Sequence, residues 1–338
     1  MRLFFVLLLL SFSTCAILSS CGKDHDSPST PPAPDPVDSI PSNWLKAQTP
    51  ADSTGVTDIF FANNTTGYAI GEKGEVWKSA DGGLSWSSVY KLPGNRTGYN
   101  LAATANGKVY IVMYGVADGI YTSADGATFQ YQHVGNIDIA ADVYFTGNDT
   151  GYISGANTLA TNPETNGVWQ TTDGGSNWQL IPVAGTGTDS RSSDLSFYNT
   201  AYAYLMNNGS VYHTSGYNQW STRVAVSAAL CSIAAPAKDI AFAADSRGAI
   251  YKTTDGGASF TAIATLSLPT GDSYVNLHFL SVQVGYATAA NVLYKTTDGG
   301  LTWLPVLTSK NKLSEVHFTD ANHGWVCADN GTILVYRP

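Results

Sequence analysis

The chain has 338 residues, a formal net charge of −9 and only 13% charged residues, with 33 glycines and abundant Thr, Ser and Asn. Its few basic residues never cluster, which excludes an electrostatic grip on nucleic acid or on an anionic membrane surface. Short strands joined by tight turns suit this composition better than long charged helices, so an all-β fold is expected.

The N-terminal stretch MRLFFVLLLLSFSTCAILSSCGKD has a basic start at Arg2, an apolar run from Leu3 to Leu10 and small residues before Cys21. This is the build of an export signal and not of a structural helix. Leu18-Ser19-Ser20-Cys21 resembles the bacterial lipobox, which implies a signal peptide over residues 1–20 and a lipid on the Cys21 thiol. Gly22 after the cysteine implies, by resemblance to lipoprotein sorting, the outer membrane, with the chain lipid-anchored on its periplasmic or cell-surface side. Residues 21–42 then comprise the lipidated cysteine and a Pro-rich linker. The linker has too few apolar residues to bury a core and reads as an extended tether. Cys15 leaves with the signal, so Cys231 and Cys327 remain. They fall in different repeats and are expected to be buried free thiols in preference to a bridge.

Residues 43–338 repeat themselves. SADGGLSW (79–86), SADGATF (123–129), TTDGGSNW (171–178), TTDGGASF (253–260) and TTDGGLTW (296–303) share a Ser/Thr, an Asp two residues on, Gly and then an aromatic. HTSGYNQW (213–220) is a decayed sixth copy with Ser215 in the acidic place. Positions 81, 125, 173, 215, 255 and 298 are 40 to 48 residues apart, the period of a four-stranded propeller blade. Each box follows a strand ending in aromatics, a Gly-Tyr strand and a third strand, all with two-residue alternation. An Asp in such a turn accepts bonds from downstream N–H groups, the Ser/Thr hydroxyl adds another, and Gly permits the reversal. Asp81, Asp125, Asp173, Asp255 and Asp298 are therefore read as structural, with Trp86, Phe129, Trp178, Phe260 and Trp303 folding over their hairpins. One equivalent carboxylate per blade, spread around a ring, is a poor layout for glycoside chemistry, which needs two differently tuned carboxyls side by side.

These residues closely resemble the Asp-box (BNR) repeat, and GYAIGEKGEVWKSADGGLSW (67–86) resembles the repeat of the photosystem II assembly-factor family of seven-bladed propellers. The resemblance implies an all-β, seven-bladed β-propeller of four-stranded antiparallel blades. Blade starts are expected near residues 55, 97, 139, 192, 229, 273 and 312. Residues 312–338 supply only three strands, and SNWLKA (42–47) is similar to the box exit SNWQLI (176–181). The N-terminal strand should therefore complete the last blade, with Trp44 in the missing aromatic place, closing the ring.

Binding in propellers favours the face opposite the boxes and the central channel, so the long loops there hold the candidate ligand residues: Arg96, Arg191, Arg247 and Lys310. His278 and His317 occupy the same place in successive first strands and should be neighbours near the channel, without a third ligand to make a metal site. No HExxH, CxxC, phosphate loop or GxSxG elbow occurs, so no cofactor and no metal are expected. The reading that follows is a monomeric, non-catalytic, lipid-anchored module or scaffold that binds a protein or glycan at the cell envelope. The alternative is a glycoside hydrolase of sialidase or xyloglucanase type acting through loop carboxylates such as Asp189 or Asp245. By resemblance a sialidase needs three arginines gripping a carboxylate, and only five arginines lie beyond the signal.

Overall fold

The computed structural model of the protein describes residues 38–338 apart from 52, 54, 96, 114–118, 136, 157–166, 184–193, 215–218, 221–223 and 269–273. The signal peptide, Cys21 and most of the linker lie outside the described residues, as do Arg96, Asp189, Arg191 and Ser215. After a short first strand, β1 (Trp44–Lys46), the chain makes six four-stranded antiparallel sheets in strict succession, then three strands of a seventh. Blade 1 is β2 (Val56–Phe61), β3 (Gly67–Gly71), β4 (Glu75–Ser79) and β5 (Ser87–Lys91). Blade 2 is β6 (Gly98–Ala103), β7 (Val109–Met113), β8 (Gly119–Ser123) and β9 (Phe129–His133). Blade 3 is β10 (Ile139–Phe145), β11 (Gly151–Ala156), β12 (Gly167–Thr171) and β13 (Gln179–Pro182). Blade 4 is β14 (Asp194–Asn199), β15 (Tyr202–Asn207), β16 (Ser210–Thr214) and β17 (Val224–Ala225). Blade 5 is β18 (Leu230–Ala237), β19 (Ile240–Asp245), β20 (Ala249–Thr253) and β21 (Thr261–Thr265). Blade 6 is β22 (Val275–Phe279), β23 (Gly285–Ala289), β24 (Val292–Thr296) and β25 (Leu304–Thr308), and blade 7 opens with β26 (Leu313–Asp320), β27 (His323–Ala328) and β28 (Ile333–Tyr336).

The fourth strand of blade 7 is β1, which pairs antiparallel with β28 in the register Trp44↔Tyr336, Leu45↔Val335 and Lys46↔Leu334. Trp44 is 5% exposed, edge-on to Phe318 and tilted against Tyr336. The ring is thus shut by the start of the domain, and the outer edge of blade 7 is covered. Across the seam to blade 1, Trp325 Nε1 and Arg337 Nη2 both donate to the Gly82 carbonyl at 2.9 and 2.8 Å, and Asn64 donates to Asp320.

The second strands sit between neighbours and are fully buried in several blades, which is why GYAIG and GYATA carry no charged residue. Between blades, the aromatic that ends a first strand stacks on the second-strand aromatic of the preceding blade: Phe61 on Trp325, Phe145 on Tyr110, Phe197 on Tyr152, Phe279 on Phe242 and Phe318 on Tyr286. These rings, 3.5 to 4.3 Å apart between centroids, bury large apolar faces against each other at each seam. The same ring explains the glycine of the Gly-Tyr strand. A Cβ on Gly324 would lie 2.2 Å from the Phe318 ring, and one on Gly67 2.4 Å from Phe61. Blade 4 solves the packing differently: Ala203 stands opposite Phe197, and the register shifts just beyond, before Asn199.

Candidate functional site

Each box is a closed hydrogen-bonded unit. Asp298 accepts from Thr296 Oγ1 (2.9 Å), from the Thr302 amide (2.9 Å) and from Thr302 Oγ1 (2.6 Å). Thr296 Oγ1 in turn accepts from the Gly300 amide, and Trp303 Nε1 donates to the Gly300 carbonyl. Asp81, Asp173 and Asp255 make the same three bonds with Ser79 and Ser85, Thr171 and Asn177, and Thr253 and Ser259. Asp125 accepts from Ser123 Oγ and from two successive amides, Ala127 and Thr128. Gly299 and Gly300 have φ of 74° and 84°, a left-handed pair that only glycine adopts without strain. The donors hold these carboxyls ionised: the side chain of Thr302 first, then its amide, bring Asp298 down to about 2, and Asn177 does the same for Asp173. Trp86 and Phe129 are buried; Trp178, Phe260 and Trp303 are half-buried over their hairpins. The boxes also lock onto the preceding blade. Lys252 Nζ reaches the Gly299 carbonyl and Tyr110 OH the Gly174 carbonyl.

Of the candidate loop residues, Arg247 and Lys310 are among the described residues. Arg247 is exposed in the β19–β20 turn of blade 5, and Lys310 is exposed in the β25–β26 connection, where its amide donates to Asp38. Asp245 is 3% exposed and fully occupied, accepting from Ser227 Oγ, Tyr251 OH and the amides of Arg247 and Ala249. Cys231 and Cys327 are buried free thiols, both pushed up by burial, Cys231 to about 12.

The chemistry concentrates instead in the central channel, a cavity of about 1230 Å³ walled by the first strand of every blade. Those first strands are inner edges with amides to satisfy. One side chain in each blade stands at the equivalent place: Asp58, Asn100, Asp142, Asp194, Ser232, Asn276 and Glu315. Five of them accept the amide of the next blade. Leu101 donates to Asp58 (2.6 Å), Val143 to Asn100 (3.2 Å), Leu195 to Asp142 (2.6 Å), Ile233 to Asp194 (2.9 Å) and Leu277 to Ser232 (3.1 Å). At the last seams the histidines take over. The Phe318 amide donates to His278 Nε2, His317 is hydrogen-bonded to the Phe61 backbone, and the two rings lie 5.4 Å apart. Displaced from this role, Asn276 keeps a buried Oδ1 with no partner.

Four members of the ring are carboxyls in the channel wall, and among the described residues Lys312 is the one Lys or Arg that lines the same cavity. Burial raises Asp58 to about 7, opposing its two amide bonds, and Asp142 adds repulsion. Burial and then the Asp194 charge push Asp142 well up, while Asp194, buried and bonded to the Ile233 amide and to Asp142, sits at about 6. Glu315 is raised by burial and then by Asp58, Asp194 and Asp142. His278 and His317 are held neutral, at about 4 and about 3, by burial and, for His317, by its neighbour. Tyr99 and Tyr274, 37% and 48% exposed, project into the same cavity, where Tyr274 feels Asp194, Tyr99, Cys231 and Glu315. Among the described residues no group of three or more His, Cys, Asp or Glu is placed to hold a metal ion. The sequence marks the channel histidines His278 and His317 but none of the seven ring residues. The signal was there, an Asp, Asn or Glu three residues before the closing aromatic in IFF, VYF, SFY, LHF and VHF strands, but the residue type varies.

Seven four-stranded blades around a channel, five of them with an Asp-box turn among the described residues, define this protein as a seven-bladed Asp-box β-propeller. Within that class it resembles the photosystem II assembly factors: residues 121–267 match the family model described as photosynthesis system II assembly factor YCF48. No curated protein is similar enough in sequence to match. Among solved structures, YCF48 bound to D1 peptide is 15% identical with a TM-score of 0.67, over 92% of this chain and 99% of that one. A catalytically inactive virginiamycin B lyase from Staphylococcus aureus is 13% identical with a TM-score of 0.70, over 87% and 99%. The GH74 xyloglucanase from Xanthomonas campestris is 16% identical with a TM-score of 0.64, over 86% of this chain and 52% of that one. At these identities the likeness is one of fold.

Proposed function

We propose that the protein is a non-catalytic binding module that takes a protein segment at the channel mouth and on the loop face opposite the boxes, held at the cell envelope by a lipid on Cys21. The observation that carries this reading is the distribution of its carboxylates. Every described box aspartate is saturated within its own turn, and Asp58, Asp142 and Asp194 are tied to backbone amides of the next blade. Hydrolysis of a glycoside needs a proton donor and a base standing free on either side of a bond. What is left open is a wide, acidic, aromatic-bearing concavity, the kind of surface that holds a ligand. The solved complex of YCF48 with D1 peptide supports a peptide as the occupant in this fold family, and a glycan is the second class of ligand.

The test pairs affinity capture from envelope extracts, followed by direct titration of the purified hit, with fluorogenic sialoside and xyloglucan assays. Tyr274→Ala is expected to weaken binding at least tenfold. Asp298→Ala is expected to lower the melting temperature and leave the affinity unchanged, because its bonds are confined to one turn. Turnover of either sugar substrate that disappears in Asp194→Asn would replace the binding reading with the hydrolase.

A further inference from the structure

Two outward positions recur at the box exits: the residue two before the aromatic and the residue just after it. Blades 2, 3 and 5 fill them with Ala127 and Gln130, Ser176 and Gln179, and Ala258 and Thr261, all exposed. Blade 6 carries Leu301 and Leu304 in the same places, 59% and 68% exposed. Blade 7, completed by β1, has Leu45 in the second place, and blade 1 has Leu84 in the first, 44% and 41% exposed. Ile40 joins them from the stretch leading into β1, and the other large apolar side chains exposed among the described residues are tyrosines, Tyr99, Tyr198 and Tyr274. Single leucines scattered over a surface need no explanation, but a group confined to three consecutive blades marks a contact site.

The same rim is where the chain enters the domain. Ser39 pairs with Thr308 at the end of β25 through two backbone hydrogen bonds of 2.7 and 3.1 Å, and the Lys310 amide donates to Asp38. From there the chain passes Ile40, runs through β1 on the outer edge of blade 7 and reaches blade 1, where the Gln48 amide donates to the Leu84 carbonyl and the Trp86 amide to the Gln48 carbonyl. Segment 38–48 thus stitches the three leucine-bearing blades together, and whatever holds its upstream end decides what the leucines meet. A lipid on Cys21 is joined to Asp38 by a link that reaches at most about 60 Å. So short a tether holds the rim over the bilayer at a high effective concentration, where a few leucines suffice to seat it.

We propose that the rim of blades 6, 7 and 1 seats on the bilayer that carries the Cys21 lipid, with Ile40, Leu45, Leu84, Leu301 and Leu304 dipping into its apolar boundary. This rests on the lipid anchor of the proposed function and adds an orientation to it: the box side of the rim turns to the membrane, and the loop face opposite the boxes stays open to the ligand. The contact is apolar and needs no anionic lipid, in keeping with a chain of net charge −9.

Hydroxyl-radical footprinting tests the seat, with the chain from Cys21 onward coupled through that thiol to a maleimide lipid in phosphatidylcholine vesicles; Cys231 and Cys327 are buried and stay uncoupled. Oxidation of Leu45, Leu84, Leu301 and Leu304 should fall at least threefold relative to the same chain free in solution, while Tyr198, exposed on blade 4, keeps its rate. Leu45→Gln with Leu304→Gln, copying Gln179 of blade 3, should return Leu84 and Leu301 to the free level without lowering the melting temperature. Equal oxidation of the four leucines on and off the vesicle would overturn the seat. So would shielding that grows with concentration in the free chain, which would assign the rim to a second copy. The mass of the protein extracted from its own membranes reports separately on the anchor: an unmodified Cys21 overturns the anchor and the seat with it, whereas a lipidated Cys21 with an unshielded rim overturns the seat alone.

Discussion

Trp44→Ala is expected to lower the stability of the protein by about 3–5 kcal/mol, the cost of removing a large buried ring from a site that cannot collapse. Trp44 is the only large side chain that β1 puts into the core, and it lies against Phe318 and Tyr336 within a cluster that also holds Tyr286, Leu307 and Leu334. Leu45 on the same strand is 44% exposed, so Leu45→Ala is the matched control and should change little. The loss should appear in urea unfolding as a shift in midpoint without a change in slope. An unchanged midpoint in Trp44→Ala would mean that β1 lies on the ring without closing it.

The melting temperature is expected to rise as the pH is lowered from 8 to 6, corresponding to about 2 kcal/mol or more, opposite to the trend of a protein held by surface carboxylates. Asp58 and Asp194 titrate at about 7 and about 6 in the folded state, against 3.8 for an ordinary Asp, and Asp142 and Glu315 stand well above their ordinary values. The folded state therefore binds more protons than the unfolded chain. Stability from these groups is complete below pH 3.8 and is lost as the pH climbs through their raised values. His278 and His317 act in the other direction: their folded values of about 4 and about 3 lie below 6.5, so their contribution is present above 6.5 and is lost as the pH falls through 4. The box aspartates, down at about 2, lose theirs below 3.8. Stability should thus climb from pH 8 to 6, level off as the histidines begin to oppose the carboxyls, and drop below 4. Calorimetry across this range decides the matter, and a monotonic rise in melting temperature toward pH 8 would contradict the protonated ring.

Much of this fold is legible in the chain because its governing interactions are local. A box needs only residues 296–303 to close its bonds, so the sequence shows it as a motif, and its spacing gives the blades. The first strands begin at residues 56, 98, 139, 194, 230, 275 and 313, close to the expected positions. Closure by Trp44 is legible for the same reason, since SNWLKA copies a box exit. The acceptor ring is harder to see. Five of its members bond to an amide 39 to 53 residues away, and the job needs only an acceptor, so Asp, Asn and Ser are interchangeable and leave no motif. Loop charges such as Arg247 and Lys310 are exposed on separate blades, and nothing local in the sequence says what they face.

A chain lacking residues 1–48, tested for assembly state with and without a synthetic peptide of residues 38–48, probes the closed ring most directly. A ring shut by β1 predicts that this shortened chain exposes the β28 edge and self-associates, and that the peptide restores a monomeric, cooperatively melting protein. A shortened chain that stays monomeric and melts at the full-length temperature without the peptide would contradict it.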